Sequence, residues 1–153
     1  MEVHRLSVSK FADLTGAGGL HGSARWHKKG APILYTASSR SLSALERFVH
    51  EDVNTMPKLT MMTIWVPDDI SIKRVNKMDL PKGWDLLPPT RQSQDFGSQW
   101  LFKQETLVLQ LPSAIIDNEY NYLINPLHPE AIQIKMVDKR DYFYDPRLGK
   151  MIR

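Results

Sequence analysis

The chain of 153 residues contains no cysteine, so disulfide bonds, thiol catalysis and cysteine-based metal sites are excluded. It also has no run of apolar residues long enough to cross a membrane, and charged residues interrupt its first fifteen positions, where a secretion signal would be apolar. A cytoplasmic protein that does not bind a membrane is the expectation that follows from these absences.

The chain also lacks a cluster of basic residues. The formal net charge is only +3, and the lysines and arginines are scattered along the chain. Because nucleic-acid-binding domains usually collect their basic residues on one face, we expect no direct binding to nucleic acid. A mildly basic surface still attracts an anionic small molecule, such as a dinucleotide, or an acidic partner protein.

The remaining composition, 42% hydrophobic and 24% charged, is that of an ordinary globular domain. The length suits one domain spanning residues 1–153. Alternating or apolar stretches predict strands, apolar residues at helical spacing predict one helix, and a capping threonine predicts the start of another. The predicted strands cover residues 3–8, 33–36, 59–66, 70–75, 107–111, 131–137 and 142–144, and the predicted helices cover 41–51 and 90–100.

Many short strands with few helices indicate an α+β fold, with a mixed, largely antiparallel or split sheet. Glycines and prolines interrupt this pattern in two places. They predict a mobile loop over residues 16–19 and a long loop over residues 76–90.

Glu46 is the most informative single residue of the 41–51 helix, because it lies at the rim of that helix's apolar stripe. A carboxylate in this position can face a cleft. Two structural interpretations remain open: a capping box, in which Glu46 pairs with Ser43 at the helix start, and an exposed contact with His50.

Polar residues also follow the predicted strand 107–111. Ser113 lacks the Gly-x-Ser-x-Gly setting of a nucleophile, so we interpret it as a residue that orients Arg25 or a ligand, or that caps a turn. Asn121 and Asn125 are interpreted as architectural residues that fix loops. His128 has no neighbours at metal-ligand spacing, and no metal site is expected.

Several short stretches, taken in order, carry a resemblance to a known family. The first half of the chain has Arg-Trp-His at 25–27, inside the glycine-bounded stretch 22–30, then Leu-Tyr-Thr-Ala at 34–37 and Ser-Ala-Leu-Glu at 43–46. The second half has Leu-Pro-Ser-Ala at 111–114 and Asn-Tyr-Leu-Ile-Asn-Pro-Leu-His-Pro at 121–129. In this framing the chain resembles, over residues 1–148, the RES family, which is named for an arginine, a glutamate and a serine. The corresponding residues are Arg25, Glu46 and Ser113.

The resemblance implies a single RES domain with an ADP-ribosyltransferase-like fold. RES proteins are the toxin halves of bacterial toxin–antitoxin pairs and consume NAD. The expected function is therefore cleavage of the nicotinamide–ribose bond of NAD by hydrolysis or phosphorolysis, with NAD as substrate and no cofactor. The resemblance also implies a helix-turn-helix, Xre-like antitoxin as partner, and it leaves room for a homodimer within that complex.

The same resemblance implies the roles of the site residues. Arg25 anchors the pyrophosphate, since its guanidinium matches phosphate oxygens, and Tyr35 orients the nicotinamide end. Glu46 stabilises the positive charge that develops on the ribose in an oxocarbenium-like transition state. Ser113 completes the substrate-binding set. The family often has asparagine at the position of His27, so no role is carried over to that residue.

Other interpretations stay open. The chain could instead be an ADP-ribosyltransferase that modifies a specific cellular protein, a toxin that acts on nucleic acid through the basic and aromatic residues 26–29, or a non-catalytic binding module. Judged from the residues alone, Arg25 could stack on Trp26 at the surface, and Tyr35 could pack in the core.

Overall fold

The structure is a computed structural model that describes residues 1–151. Within that range, seven strands form one mixed sheet, and three α-helices and several short 3-10 turns pack around it. The strands are β1 (Glu2–Val8), β2 (Leu34–Ala37), β3 (Leu59–Trp65), β4 (Ile72–Arg74), β5 (Val108–Pro112), β6 (Tyr120–Ile124) and β7 (Lys135–Tyr142), and the helices are α1 (Gly18–His21), α2 (Arg40–Phe48) and α3 (Arg91–Lys103). The α+β class predicted from the sequence is confirmed.

The sheet runs in the order β4-β5-β6-β2-β1-β3-β7, and every neighbouring pair is antiparallel except β4 with β5. Its two halves are joined weakly at the centre. Strands β1 and β2 share a single register pair, His4 with Ala37, whereas β1 pairs with β3 along its whole length. The predicted split sheet is therefore present, and the split lies between β1 and β2.

Side chains and backbone groups from outside the ladder fill this split. A strand that leaves its neighbour exposes unpaired amides and carbonyls, which must find other partners when they are buried. The Leu6 amide donates to Ser43 Oγ of α2 at 2.7 Å, and the Tyr35 carbonyl accepts from Arg5 Nη1 at 3.2 Å. Helix α2 is thus tied to the edge of the opening.

The two faces of the sheet bury separate apolar clusters. One face carries Val3, Leu34, Met62 and Ile124, all nearly inaccessible to solvent. The other face packs against α3 through Trp100, with the tryptophan of the 25–27 motif beside it. Since both faces are covered, β3 and β5 are buried along nearly their whole length, and their apolar runs could be recognised from the sequence.

The predicted elements agree with the structure in β1 to β5 and in both longer helices, and they differ in three places. Residues 129–133 form a 3-10 turn rather than the start of a strand, and the predicted strands 131–137 and 142–144 are replaced by the single strand β7. Strand β6 was missed because its segment was interpreted as loop. Residues 16–19 form no loose loop: the Gly16 carbonyl accepts from the amides of Gly19 and Ile33, which docks α1 onto the sheet.

None of the helices in residues 1–151 is long and apolar enough to span a membrane.

Candidate active site

Helix α2 places Glu46 over the sheet. The Glu46 side chain is not used to cap this helix, because the helix begins further back in the chain. The N-cap is Ser39, whose Oγ accepts from the Leu42 amide at 3.0 Å. Ser43 lies inside the helix and holds β1 instead. The capping-box interpretation, in which Glu46 bonds the helix start opposite Ser43, is therefore wrong, because the helix begins four residues earlier than that box requires.

The Glu46 carboxylate is anchored by one oxygen only. Its Oε1 accepts from Ser113 Oγ at 2.8 Å and from Asn121 Nδ2 at 2.9 Å. These bonds run to the ends of β5 and β6 rather than along α2 to His50, so the alternative contact with His50 is not the one that orients this side chain. Oε2 has no hydrogen-bond partner within residues 1–151, and the residue is only half-buried. One carboxylate oxygen is thus fixed while the other can accept a bond from a ligand.

Ser113 has both of the predicted kinds of role, since it caps a turn and orients another group. Its Oγ donates to Glu46 and accepts from the amides of Ile115 and Ile116, each at 3.1 Å. It therefore caps the turn after β5 and orients a site residue, but that residue is Glu46 and not Arg25. Asn121 was interpreted as mostly architectural, a residue that fixes a loop, and this is corrected: its amide helps to hold the carboxylate. Asn125 is architectural as expected, bonded to Leu101 O and to the Leu127 amide.

Tyr35 lies on the same face of the sheet as this carboxylate. Ala37 of β2 pairs with Asn121 of β6, and Tyr35 comes two residues before Ala37. Because side chains alternate along a strand, Tyr35, Ala37 and Asn121 point to one face, and Tyr35 is separated from Ala37 by roughly 7 Å along the strand. The split in the sheet, Tyr35 and Glu46 therefore border one region.

The Tyr35 hydroxyl is held by its own hydrogen bonds and is not simply packed in the core. It accepts from the Trp26 amide at 3.3 Å and bonds His27 Nδ1 at 2.7 Å. His27 is fully buried, and its other ring nitrogen, Nε2, bonds Gly19 O at 3.2 Å. Burial raises the pKa of Tyr35 above its usual value and lowers the pKa of His27 below its usual value.

Gly19 allows this arrangement because a side chain there would collide with the Ala31 carbonyl and crowd His27. The same reasoning applies where α3 crosses the arginine motif. A side chain at Gly97 would collide with the Trp26 carbonyl, so only glycine lets the helix approach this closely.

Arg25 extends towards the long loop that precedes α3. Its Nη1 donates to the carbonyls of Trp84 at 2.6 Å and Leu86 at 3.0 Å, while Nε and Nη2 have no partner within residues 1–151. Trp26 does not stack with this guanidinium: its ring is almost wholly buried between Trp84, at a centroid distance of 6.0 Å, and Phe96. Arg25 thus fastens the loop with one nitrogen and keeps two for another acceptor.

Arg5 is a second cation in this region that sequence reasoning missed. It occupies the split between β1 and β2, where Nη1 donates to the Tyr35 carbonyl, and its buried Nε has no partner among residues 1–151. Burial, together with the neighbouring charge of Arg47, lowers the pKa of Arg5 to about 10, so it stays protonated at neutral pH. The charges of both Arg5 and Arg25 reach Tyr35 and partly oppose the rise in its pKa. The only signal in the sequence is a charged residue at a position of β1 between two buried neighbours.

A groove of about 450 Å³ lies elsewhere, between the end of α2 and the end of β7. Its walls are mainly aromatic and aliphatic, and no arginine among residues 1–151 lines it. A pyrophosphate would find no guanidinium there, so we assign the candidate site by its converging polar groups rather than by this groove. No group of three or more potential metal ligands occurs within the described part of the chain, and His128 caps the 129–133 turn by accepting from the Glu130 amide.

Comparison with known proteins gives a consistent result. Residues 2–145 match the model of the RES domain family. The chain is 43% identical over 139 residues to a protein of Sphingobium sp. named "Prs ADP-ribosylating toxin", covering 89% of this chain and 86% of the relative. It is 37% identical over 146 residues to "Toxin Res" of Pseudomonas putida, covering 92% and 96%.

The fold also has a solved counterpart. A chain in the crystal structure of the M. tuberculosis MbcT–MbcA toxin–antitoxin complex superposes with a TM-score of 0.75, covering 98% of this chain and 87% of that one. At 16% sequence identity, this likeness concerns the fold.

Proposed function

Because the chain belongs to the RES domain family, we propose that it is the toxin component of a toxin–antitoxin pair and that it cleaves the nicotinamide–ribose bond of NAD. The observation that carries the proposal is the Glu46 carboxylate, which is fixed through Oε1 by two side chains and free at Oε2 within residues 1–151, on the same face of the sheet as Tyr35. The charges of Arg5 and Arg25 in turn act on Tyr35. Each part matches a requirement of that reaction.

The reaction separates charge in a defined way. When the bond between ribose C1′ and the nicotinamide nitrogen breaks, its electron pair leaves with nicotinamide, which becomes neutral, and positive charge develops on the ribose. A carboxylate beside the ribose lowers the energy of that state. Glu46 suits this role because its free oxygen can accept a hydrogen bond from a ribose hydroxyl while its negative charge faces the developing cation.

The middle of NAD, next to the nicotinamide riboside, carries a doubly charged pyrophosphate. A guanidinium is the preferred partner of phosphate oxygens, because its planar set of donors can form two parallel bonds. Arg25 keeps two nitrogens for such a bond, and Arg5 supplies a second positive charge from within the split. Arg25 would hold the dinucleotide while Tyr35 bonds the nicotinamide riboside end.

The second product depends on the acceptor that attacks C1′. Water would give ADP-ribose and release a proton, phosphate would give a phosphorylated ADP-ribose, and a protein side chain would receive the ADP-ribosyl group. We favour hydrolysis or phosphorolysis. Transfer to a specific protein is the second candidate, because the relative that is 43% identical is named an ADP-ribosylating toxin. All three reactions begin with the same bond cleavage at Glu46.

The test is to incubate the purified protein with NAD, with and without phosphate, and to identify every product by mass spectrometry. Free nicotinamide with a stoichiometric amount of ADP-ribose or its phosphate is the expected result. Nicotinamide together with a modified protein in cell extract, and no free ADP-ribose, would favour the second candidate. If no nicotinamide forms under any of these conditions, the proposed reaction is wrong.

A cognate antitoxin follows from the same proposal, since a cell must restrain a protein that consumes NAD. We propose a helix-turn-helix protein that inserts an acidic segment towards Arg25, because the net positive charge of the chain favours an acidic partner. Nicotinamide release should fall when the purified antitoxin is added. A complex that turns over NAD at the rate of the free toxin would exclude inhibition by blocking the site.

A further inference from the structure

His27 and Tyr35 form a chain of hydrogen bonds whose direction can be deduced from its ends. His27 Nε2 lies 3.2 Å from Gly19 O, and a backbone carbonyl can only accept. Nε2 must therefore carry the ring proton. In a neutral imidazole the other nitrogen is then an acceptor, so Nδ1, 2.7 Å from the Tyr35 oxygen, receives the phenolic proton.

The second neighbour of the Tyr35 oxygen completes this arrangement. The Trp26 amide can only donate, and it lies 3.3 Å from that oxygen. The hydroxyl thus gives its proton to His27 and uses one lone pair for Trp26. One lone pair remains, and it can only accept a hydrogen bond.

We infer that His27 is a positioning residue that turns the Tyr35 hydroxyl into an obligate hydrogen-bond acceptor, so that this hydroxyl selects a ligand group that donates, namely a ribose hydroxyl or the carboxamide NH₂ of nicotinamide. This inference rests on the proposed function for the identity of the ligand, but the direction of the hydrogen bonds stands without it. His27 itself is fully buried, so it acts on a ligand through Tyr35.

The protonation states of both residues agree with this direction. Burial lowers the pKa of His27, with only a partial opposing effect from backbone carbonyls, so the ring is neutral at physiological pH. Burial also raises the pKa of Tyr35, so the phenol keeps the proton that it donates. Neutral partners of this kind hold a defined donor and acceptor over the working pH range.

Two substitutions of His27 test its two hydrogen bonds, to Tyr35 and to Gly19, separately. Asparagine places an amide oxygen close to the position of Nδ1, so His27→Asn keeps an acceptor for Tyr35 and loses the bond to Gly19. Glutamine reaches the position of Nε2, so His27→Gln keeps a donor for Gly19 and loses the acceptor for Tyr35. The pair is matched, because each variant keeps one of the two bonds and has a neutral amide.

The measurement is nicotinamide release by the full chain, with circular dichroism to check folding. We expect His27→Gln to lose about tenfold in kcat/KM and His27→Asn to lose no more than about threefold. In a Tyr35→Phe background the two variants should be equal, because the hydroxyl that His27 orients is gone. In the chain that keeps Tyr35, the inference would be overturned by equal losses in the two variants, or by a larger loss in His27→Asn than in His27→Gln. Either result would mean that His27 acts only through Gly19.

A second measurement needs neither a variant nor NAD. Long-range nitrogen–proton NMR of the free protein, with His27 assigned through its backbone, reports the tautomer directly. We expect a proton on Nε2 and none on Nδ1 at neutral pH. A proton on Nδ1 would overturn the inference even if the protein cleaves NAD, whereas an inactive protein with the expected tautomer would refute only the proposed function.

Discussion

The two ends of the candidate site are built on different physical principles. At the arginine end, Arg5, Tyr35 and His27 are enclosed and each is held by a backbone carbonyl or a neighbouring ring. At the carboxylate end, Glu46 is half-exposed and is held by two side chains through one oxygen. Within residues 1–151, the enclosed groups of the first end are held in place before any ligand arrives, with two nitrogens of Arg25 free at the same end, whereas the second end leaves a carboxylate oxygen free for a ligand.

This difference suggests a division of labour between binding and chemistry. Preformed guanidinium and phenol groups contribute equally to the bound substrate and to the transition state, and such interactions act on KM. A carboxylate that faces charge present only in the transition state acts on kcat. The predictions below test whether the two ends really separate in this way, and they run from the largest expected effect to the smallest.

Glu46→Gln should reduce kcat by about a hundredfold or more, the typical loss when one electrostatic stabiliser is removed. Glutamine can still accept from Ser113 and Asn121 through its carbonyl oxygen, so the melting temperature should hardly change. Glu51→Gln is the matched control, because Glu51 follows the same helix and pairs with Arg47. Full turnover in Glu46→Gln with a lowered melting temperature would make the carboxylate purely structural.

Arg25→Ala should raise KM by about ten- to a hundredfold, the value of a hydrogen bond to a charged group, and should change kcat less. Arg25→Lys should restore only part of the affinity, because the planar set of donors is lost. The exposed Arg91, which pairs loosely with Asp95, provides the control substitution. A kcat defect with normal KM in Arg25→Ala would contradict the division between the two ends.

Ser113→Ala should lower kcat by about tenfold, since it removes one of the two donors that orient Glu46. The turn after β5 also loses its cap, so a small loss of stability is expected. Ser9→Ala is a suitable comparison, because Ser9 bonds Thr60 and has no hydrogen bond to Glu46 among residues 1–151. Steady-state kinetics would contradict the account if Ser113→Ala raised KM alone.

His27, at the arginine end, should make the free energy of unfolding of the protein depend on pH. Its pKa in the folded state is lowered, so the unfolded state, with a pKa of about 6.5, binds more protons as the pH falls through that value. Stability that is complete above this pH is therefore lost progressively below it. Between pH 7.5 and 5.5, the melting temperature of His27→Asn should therefore fall less than that of the unsubstituted chain. The buried His4 contributes equally in both proteins; identical pH profiles would show that His27 is not held neutral.

Local patterns in the sequence predicted much of the fold but only part of the site. Strand β3 and helix α3 were recognisable because the apolar run and the Thr90 cap are local signals. Strand β6 was missed because Tyr120 and Asn121 interrupt its apolar character, and Asn121 faces Glu46 only through its long-range pairing with β2.

Arg5 shows why the remainder could not be predicted. A charged residue in an alternating strand normally faces solvent, and nothing nearby in the sequence indicates that β1 and β2 separate beside it. The separation depends on α2, whose Ser43 replaces the missing ladder partner of Leu6. The resemblance to the RES family predicted Arg25, Tyr35 and Glu46 as candidate site residues, but only the folded chain relates Tyr35 to His27.

The most direct test of the division of labour is a calorimetric titration of NAD into Glu46→Gln, followed by analysis of the NAD that remains. The account predicts that this variant binds NAD through the intact arginine end, melts at a higher temperature in its presence, and leaves the dinucleotide uncleaved. A variant that no longer binds NAD, or that cleaves it at the wild-type rate, would contradict the separation of binding from chemistry.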